Sequence, residues 1–448
     1  MSRPDPKSFA IKSYGCQMNV YDGQRMGELL EAQGLVAAGD DQQPDLVVLN
    51  TCHIREKAAE KVYSDVGRIV KRAEGRKPLI AVAGCVAQAE GDEIGTRAPA
   101  VDIVVGPQSY HRLPELITEA TSGKRAIDTD MPVDSKFGRL PARRRQAPST
   151  FLTVQEGCDK FCTYCVVPYT RGAEISRPWS AIMDETKALI DAGASEITLL
   201  GQNVNAWTGT DDKGVEQGLD GLIRALDRLP DLKRIRYTTS HPNDMTDGLI
   251  AAHGEIKKLM PFLHLPVQSG SDPILKAMNR SHGSASYERI IDKVRAVRPD
   301  IAISGDFIVG FPGETEADFE ATLGLIERVN YAQAFSFKYS PRPGTPAATM
   351  DQQIPMAVMD ERLQRLQALL NRQQQAFNQA SVGLTTSILI ERDGKHPGQR
   401  IGKSPWLQSV VVETDAVPGT LLDVRIVSAG PNSLGGETLN SIERRHVA

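Results

Sequence analysis

Phe151-Leu152-Thr153-Val154-Gln155-Glu156-Gly157-Cys158-Asp159-Lys160-Phe161-Cys162-Thr163-Tyr164-Cys165 decides how the rest of the chain is read. The apolar run 151–154 predicts a strand. Gly157 breaks it, so the cysteines lie on a loop just past a strand end. Three of the chain's six cysteines fall here, spaced C-x3-C-x2-C. Thiolates are soft ligands that suit iron–sulfur clusters. A cubane cluster normally takes four cysteines. Three on one short loop hold three irons and leave the fourth open to a substrate, much as a catalytic zinc keeps one open position. Phe161 and Tyr164, set between the cysteines, are candidates for screening such a cluster from water. A structural zinc site would add a second cysteine pair or a histidine, and neither follows nearby.

The whole chain has 448 residues, 40% of them hydrophobic, which predicts two or three domains. A formal net charge of −4 excludes a globally basic nucleic-acid binder, so any RNA contact must use local basic patches. No apolar run approaches membrane-spanning length, and the polar, proline-containing start reads as neither signal peptide nor anchor. Six cysteines are too few for a disulfide framework and fit a reducing cytosol, so a cytoplasmic location is expected.

Upstream, residues 7–125 alternate apolar runs (9–14, 45–49, 79–83, 101–105) with amphipathic stretches (20–33, 57–72, 111–120). That alternation predicts an α/β domain with a doubly wound parallel sheet. Cys16, Cys52 and Cys85 each fall one to three residues past such a strand. In a parallel sheet those ends share one edge, where open α/β folds bind ligands. A lone cysteine is usually a core residue. Three at equivalent strand ends argue for a second three-cysteine cluster. His53, beside Cys52, reads as a loop histidine. Residues 126–148, with Pro132, Pro141 and Pro148, read as a linker. Its Arg139, Arg143, Arg144 and Arg145 are either phosphate contacts or a solvated charge run.

Residues 149–380 resume the alternation, with strands at 151–154, 196–200, 233–239, 262–267, 301–309 and 333–339. Six βα-type units predict a partial (β/α)6 TIM-like barrel with its site at the C-terminal strand ends. Polar and glycine-rich segments follow those ends at 201–203, 240–242, 268–271, 310–314 and 340–345, and would form one rim. Gly310-Phe311-Pro312-Gly313-Glu314 lacks the phosphate-loop pattern. Residues 356–380 read as a connecting helix. Residues 381–446 carry β-type runs (386–390, 409–412, 420–427, 438–442) split by glycine and proline, which predict a small β-barrel of a kind that often binds nucleic acid. Arg392, Lys395, His396, Arg400, Lys403 and Trp406 supply charge and a stacking ring.

The cysteine motif, with Tyr164 at the aromatic position of C-x3-C-x-aromatic-C, resembles the signature of the radical S-adenosylmethionine (SAM) enzymes. Tyr14-Gly15-Cys16-Gln17-Met18-Asn19, Asn50-Thr51-Cys52, Gly84-Cys85-Val86, Tyr169-Thr170-Arg171-Gly172, Gly201-Gln202-Asn203-Val204-Asn205 and Leu265-Pro266-Val267-Gln268-Ser269-Gly270 widen the resemblance to the methylthiotransferase family. The similarity covers nearly the whole chain and is strongest to the branch acting on tRNA N6-isopentenyladenosine.

The resemblance implies two [4Fe–4S] clusters. One, on Cys158, Cys162 and Cys165, binds SAM; an auxiliary one, on Cys16, Cys52 and Cys85, takes part in sulfur supply. It implies SAM contacts at Gln202 and Asn203, and cofactor-site positions at Tyr164, Glu174, Arg177, Gln268 and Gly310. It implies that a 5′-deoxyadenosyl radical removes hydrogen from carbon 2 of the modified adenosine next to the anticodon. Sulfur then enters from the auxiliary cluster, and a second SAM gives the methyl group. The last domain resembles a tRNA-engaging TRAM domain. A flavodoxin- or ferredoxin-like electron donor and a monomeric enzyme without a membrane partner are expected. Rival readings are sister methylthiotransferases acting on threonylcarbamoyladenosine of tRNA or a ribosomal-protein aspartate, and a non-catalytic RNA-binding zinc protein.

Overall fold

The computed structural model describes residues 3–39, 42–53, 56–73, 76–131, 136–143 and 147–439, the side chains of 56–59 excepted. Pro132, Arg144, Arg145 and the end of the last sequence-predicted strand, 440–442, lie outside the described residues. The chain divides into two compact units. One comprises Met1–Arg145, Glu156–Asp159 and Cys165–Ile175; the other comprises Gln146–Gln155, Lys160–Tyr164 and Ser176–Ala448.

In the first unit, six parallel strands form one sheet in the order Val36–Ala37, Ser8–Ser13, Leu46–Thr51, Leu79–Gly84, Ile103–Val105, Ala126–Asp128. Every residue of Leu46–Thr51 and Leu79–Gly84 is buried, as central parallel strands require. Alternate side chains serve opposite faces. Leu46 and Val48 join a cluster with Phe9, Met26 and Leu30, while Val47 and Leu49 join Val62, Val66 and Ile80. The sheet is therefore covered on both sides, as the sequence predicts.

Two readings need correction. The strand Ala126–Asp128, at the start of the stretch read as linker, is the last strand of this sheet. Three residues are too short to show a period. Arg143 of the arginine run is buried, with its Nε 3.1 Å from Glu28, and is a structural ion-pair partner rather than a phosphate contact. Nη2 of neighbouring Arg25 bonds the Pro141 carbonyl at 2.6 Å.

The second unit contains the six parallel barrel strands in two sheets. Ser149–Thr153, Glu196–Leu200 and Arg234–Thr238 form one; Phe262–His264, Ala302–Val309 and Gln333–Lys338 form the other. A parallel bridge joins Ile235 of the first sheet to Leu259, just ahead of the strand Phe262–His264 of the second. Helices Trp179–Asp191, Leu219–Asp227, Asp247–Glu255, Ser284–Val297, Glu316–Val329 and Met356–Ala380 belong to the same unit. Leu152, Ile197, Leu199, Ile235, Leu263, Ile303 and Phe307 of the strands meet Ile182, Leu222, Leu249, Ile291, Phe319 and Leu366 of the helices in one apolar core.

The small β-barrel closes through Thr385–Asp393, Gln399–Lys403, Ser409–Glu413, Leu434–Thr438 and Leu421–Ala429. The last strand begins earlier than the predicted 438–442 run, and Gln399–Lys403 is an unpredicted strand. Gly402, Gly435 and Gly436, among the glycines expected to split the β-type runs, lie within strands instead. A Cβ on Gly402 would stand 2.7 Å from the Leu389 carbonyl, and one on Gly435 2.4 Å from Ser428 Oγ. In so small a barrel glycine is needed where backbones pass closely. No described helix is long and apolar enough to cross a membrane.

Candidate functional site: two cysteine sets and a strand-end rim

In the first unit, parallel pairing puts the ends of Ser8–Ser13, Leu46–Thr51 and Leu79–Gly84 on one edge. Cys16, Cys52 and Cys85 follow these ends, Cys52 and Cys85 buried and Cys16 half-buried. Cys16 is the N-cap of the helix Gln17–Ala32, and Cys85 opens the helix Cys85–Glu90. The motif residues around them stitch the loops together. Asn19 Nδ2 donates to the Tyr14 carbonyl at 2.9 Å, and Asn50 Nδ2 to the Asn19 carbonyl at 2.6 Å. Gly15 has φ +100°, and a Cβ there would stand 2.2 Å from Cys52 Cβ. Only glycine lets the two cysteine loops come this close.

The Cys16 thiol is pulled down to about 6, first by its hydrogen bond with Cys52, with the Arg171 cation helping against burial. Burial pushes the Cys85 thiol up, opposed by the Arg171 cation. Arg171 ends the short helix Val167–Arg171, which packs on the Cys85–Glu90 helix. Its Nη2 lies 2.6 Å from Asp22 Oδ2 and 3.3 Å from Asn19 Oδ1, and its Nη1 3.2 Å from Glu156 Oε1. Glu156 also takes Lys136 Nζ at 2.8 Å. All four charged groups are buried.

The loop carrying Cys158, Cys162 and Cys165 is held at several points. In the first unit, the Cys158 amide donates to the Gly172 carbonyl at 3.3 Å, and the half-buried Glu174 donates its amide to Asp159 Oδ1 at 3.0 Å. In the second, Thr163 N bonds the Met278 carbonyl at 3.0 Å, and its Oγ1 the Ala277 carbonyl at 2.9 Å. Asn279, at φ +57°, donates to the Phe161 carbonyl at 2.9 Å. Buried Arg280 places Nη1 3.9 Å from Cys162 Sγ. Tyr164 packs into an apolar cluster with Ile274, Met278, Phe311 and Tyr339. Sequence reasoning missed the Asn279–Arg280 clamp. The one local signal is an asparagine just past a helix end, where left-handed backbone is common.

The remaining candidates cluster at the C-terminal strand ends of the second unit. Gln155 Oε1 accepts the amides of Gln202 at 2.8 Å and Asn203 at 3.0 Å. Asn203 Nδ2 bonds Asp244 at 2.8 Å, and Lys160 Nζ reaches the same carboxylate at 2.8 Å. Asn205 and His241 exchange two bonds, at 2.8 and 2.9 Å. The glycine–glutamine–asparagine segment therefore laces one strand-end loop to the next. Arg177 is buried, with Nη1 2.6 Å from the Thr153 carbonyl and Nη2 2.7 Å from Glu185. Gln268 is buried at φ +77°, its backbone pinned to Asp306 and Ile308. Left-handed backbone at a glutamine costs on the order of 1–3 kcal/mol and persists where surroundings enforce it, commonly at ligand sites. The Gly310 amide donates to the Glu314 carboxylate at 3.1 Å, which Arg362 Nη1 holds at 2.8 Å. That turn is locked by its own side chains.

Among the described residues no three His, Cys, Asp or Glu side chains are grouped as ligands of a single metal ion. What fits a polynuclear iron–sulfur group is the donor set itself. The six cysteines stand in two sets of three; the buried Arg280 guanidinium lies 3.9 Å from the Cys162 sulfur, and the buried Arg171 guanidinium shares the Asn19 Oδ1 acceptor with Cys16.

Two family descriptions match: uncharacterized protein family UPF0004 over residues 8–106 and the radical SAM superfamily over residues 152–326. The tRNA-2-methylthio-N(6)-dimethylallyladenosine synthase of Novosphingobium aromaticivorans is 70% identical over 435 residues, covering 97% of this chain and 98% of that one. The synthase of the same name from Sphingopyxis alaskensis is 69% identical over 444 residues, covering 99% and 100%. Among solved structures, the radical SAM methyltransferase TsrM from Kitasatospora setae superposes with a TM-score of 0.55 at 14% identity, covering 76% of each chain; this likeness is one of fold. With relatives this similar over nearly its full length, the chain belongs to the radical SAM methylthiotransferases, in the branch of the tRNA-2-methylthio-N6-dimethylallyladenosine synthases.

Proposed function

We infer that the chain methylthiolates carbon 2 of N6-isopentenyladenosine (the dimethylallyl form) next to the anticodon of tRNA. The observation that carries this reading is the division of the six cysteines into two sets of three, one spread over three adjacent strand ends and one on a single loop. The radical SAM cluster with its SAM supplies hydrogen abstraction and the methyl group, and the auxiliary cluster supplies sulfur.

The protein's own part is placement. Cys158, Cys162 and Cys165 hold the SAM cluster, and Arg280 keeps a cation at the Cys162 sulfur. Cys16, Cys52 and Cys85 hold the auxiliary cluster. Gln202, Asn203 and Gln268 shape the SAM side of the rim, Tyr164 backs the cluster loop with an apolar ring, and Arg177 and Gly310 fix the strand ends beside them. Glu174, half-buried, follows the loop. Residues 381–446 are the TRAM-like part that engages tRNA, after the auxiliary-cluster domain (7–125), the linker (126–148) and the radical SAM barrel (149–380). The target base must leave its stack, at a cost of a few kcal/mol. A monomer working in the cytoplasm with a flavodoxin- or ferredoxin-like donor completes the reading.

The test is anaerobic turnover of reconstituted protein, SAM and reductant with an anticodon stem-loop carrying isopentenyladenosine, read by mass spectrometry. Methylthiolated base is expected. SAM cleavage with unchanged RNA would refute the substrate and direct the assay to threonylcarbamoyladenosine and ribosomal-protein aspartate. A cluster-loaded protein that cleaves no SAM would refute the radical chemistry.

A further inference from the structure

Arg171 is charged and surrounded by protein, and its environment is unusual. Asp22, Glu156, Arg171 and Lys136 form a buried set of two anions and two cations. Asp22 lies on the helix that Cys16 caps, and Glu156 stands two residues ahead of Cys158 in the chain. Lys136 Nζ, 2.8 Å from Glu156, also bonds the Pro107 carbonyl at 2.8 Å and lies 4.5 Å from the centre of the Tyr110 ring. Gln108 Nε2 ties Glu156 Oε2 at 3.3 Å to the Arg171 carbonyl at 2.9 Å.

A buried ion set of this kind gives little net stability, because the lost hydration of each ion offsets its attraction. Four ions beside three cysteines therefore call for another account. The guanidinium supplies it, since its Nη2 bonds both Asp22 and Asn19 Oδ1, the oxygen that also accepts from the Cys16 thiol at 3.7 Å, and its helix packs on the one that Cys85 opens. Arginine suits this position: its planar fork serves several acceptors at once and keeps its charge when buried. The two carboxylates fix the fork, Lys136 balances the second carboxylate, and the charge is held next to the loops of Cys16 and Cys85.

We propose that Arg171 is a positioning residue for the auxiliary cluster, a fixed counter-charge beside Cys16 and Cys85 that sets the cluster's reduction potential. The proposal rests on Cys16, Cys52 and Cys85 carrying that cluster, as inferred above. A positive charge near cluster sulfurs favours the reduced form, so removing it makes the potential more negative. Asp22 and Glu156 hold the guanidinium in place.

The test uses protein that carries only the auxiliary cluster, the Cys158→Ala/Cys162→Ala/Cys165→Ala chain, in redox titrations followed by electron paramagnetic resonance. In that background Arg171→Lys keeps the charge, while Arg171→Gln with Asp22→Asn removes one cation and one anion together, so no orphaned carboxylate is left buried. The double change is expected to shift the reduction equilibrium at least tenfold toward the oxidised cluster, about 59 mV for a one-electron couple. Arg171→Lys is expected to stay within threefold of the parent. Equal potentials in all three proteins, or equal shifts in the Lys and Gln forms, would overturn the proposal. Should the double change fail to fold, the parent labelled with 15N-arginine decides. Nuclear coupling from an arginine nitrogen to the reduced cluster supports the proposal, and its absence overturns it. A parent that binds no cluster at all instead refutes the cluster assignment and not the role of Arg171 alone.

Discussion

Replacing Arg236 by leucine tests how the small β-barrel is fastened within the second unit. Arg236 is buried at the floor of the larger barrel, where its Nε lies 3.0 Å from Glu196, Nη1 2.8 Å from the Pro405 carbonyl and Nη2 2.9 Å from the Ser404 carbonyl. Its neighbour Arg234 bonds the Lys403 and Ser387 carbonyls at 2.8 and 2.7 Å but stands 3.9 Å from Glu196. Arg236→Leu leaves the buried Glu196 carboxylate with that distant partner and Ser149 Oγ at 2.9 Å. Breaking a buried pair from one side costs about 3–5 kcal/mol. Arg234 differs: burial, only partly offset by Glu196, pulls its proton affinity down to about 10. Arg234→Leu therefore relieves a burial cost while losing two charged hydrogen bonds, a net of about 1–3 kcal/mol. Urea unfolding followed by tryptophan fluorescence reads the difference, since the indole N–H of Trp406 in the small barrel donates to the Asp300 carbonyl at 2.8 Å. With a slope of about 2–3 kcal/mol per molar, Arg236→Leu lowers the midpoint by roughly 1–2 M. Adding Glu196→Gln to it should recover part of that loss. A midpoint for Arg236→Leu at or above that of Arg234→Leu would refute the reasoning.

Gly157→Ala puts a Cβ 1.9 Å from the Ala173 carbonyl at φ +74°, so the cluster loop must shift; reconstituted iron should drop from about eight to about four per chain, and a full complement would contradict the loop's dependence on this glycine. Cys52→Ala should keep SAM cleavage and lose methylthiolated RNA, both read by mass spectrometry; full product would sink the auxiliary assignment. His253 is buried with Nε2 2.6 Å from Tyr237 Oη, and burial, then Arg298, pulls it down to about 3. The unfolded chain takes up this proton below about pH 6.5 and the folded chain does not, so stability falls with falling pH, by about 2 kcal/mol between pH 7.5 and 5 for this residue. In urea titrations at the two pH values, His253→Gln should remove that share; an unchanged pH dependence would exclude His253 as a source.

What the sequence shows of this fold follows burial. Leu46–Thr51, Leu79–Gly84 and Glu196–Leu200 are buried at every residue, and their continuous apolar runs are legible. Val36–Ala37 and Ala126–Asp128 are too short to carry a period. Arg234-Ile235-Arg236 alternates as a half-exposed strand would, yet both arginines are buried because the small barrel's carbonyls receive them. The partner lies more than 150 residues along the chain, where no local pattern reaches it. The cysteines were legible because spacing and strand-end position are local facts. Arg280, at the Cys162 sulfur from 118 residues away, was not.

The two cysteine sets are held by different physics, and this decides what each tolerates. Cys16, Cys52 and Cys85 take their spacing from the register of a parallel sheet whose strands are fixed by core burial. Disturbing them takes a change in that core or at the close approach of Gly15. Cys158, Cys162 and Cys165 lie on a loop with no ladder of its own, whose shape depends on single hydrogen bonds from Thr163 and Asn279 and on the backbone freedom of Gly157. Each such bond is worth only about 1 kcal/mol net, but losing one leaves a carbonyl free to turn and the loop free to move. Polar surface substitutions around the clamp Ala277–Arg280 should therefore impair SAM cleavage with little loss of global stability. Conservative core changes under the first sheet should do the reverse, lowering stability before they touch the sulfur-donating step.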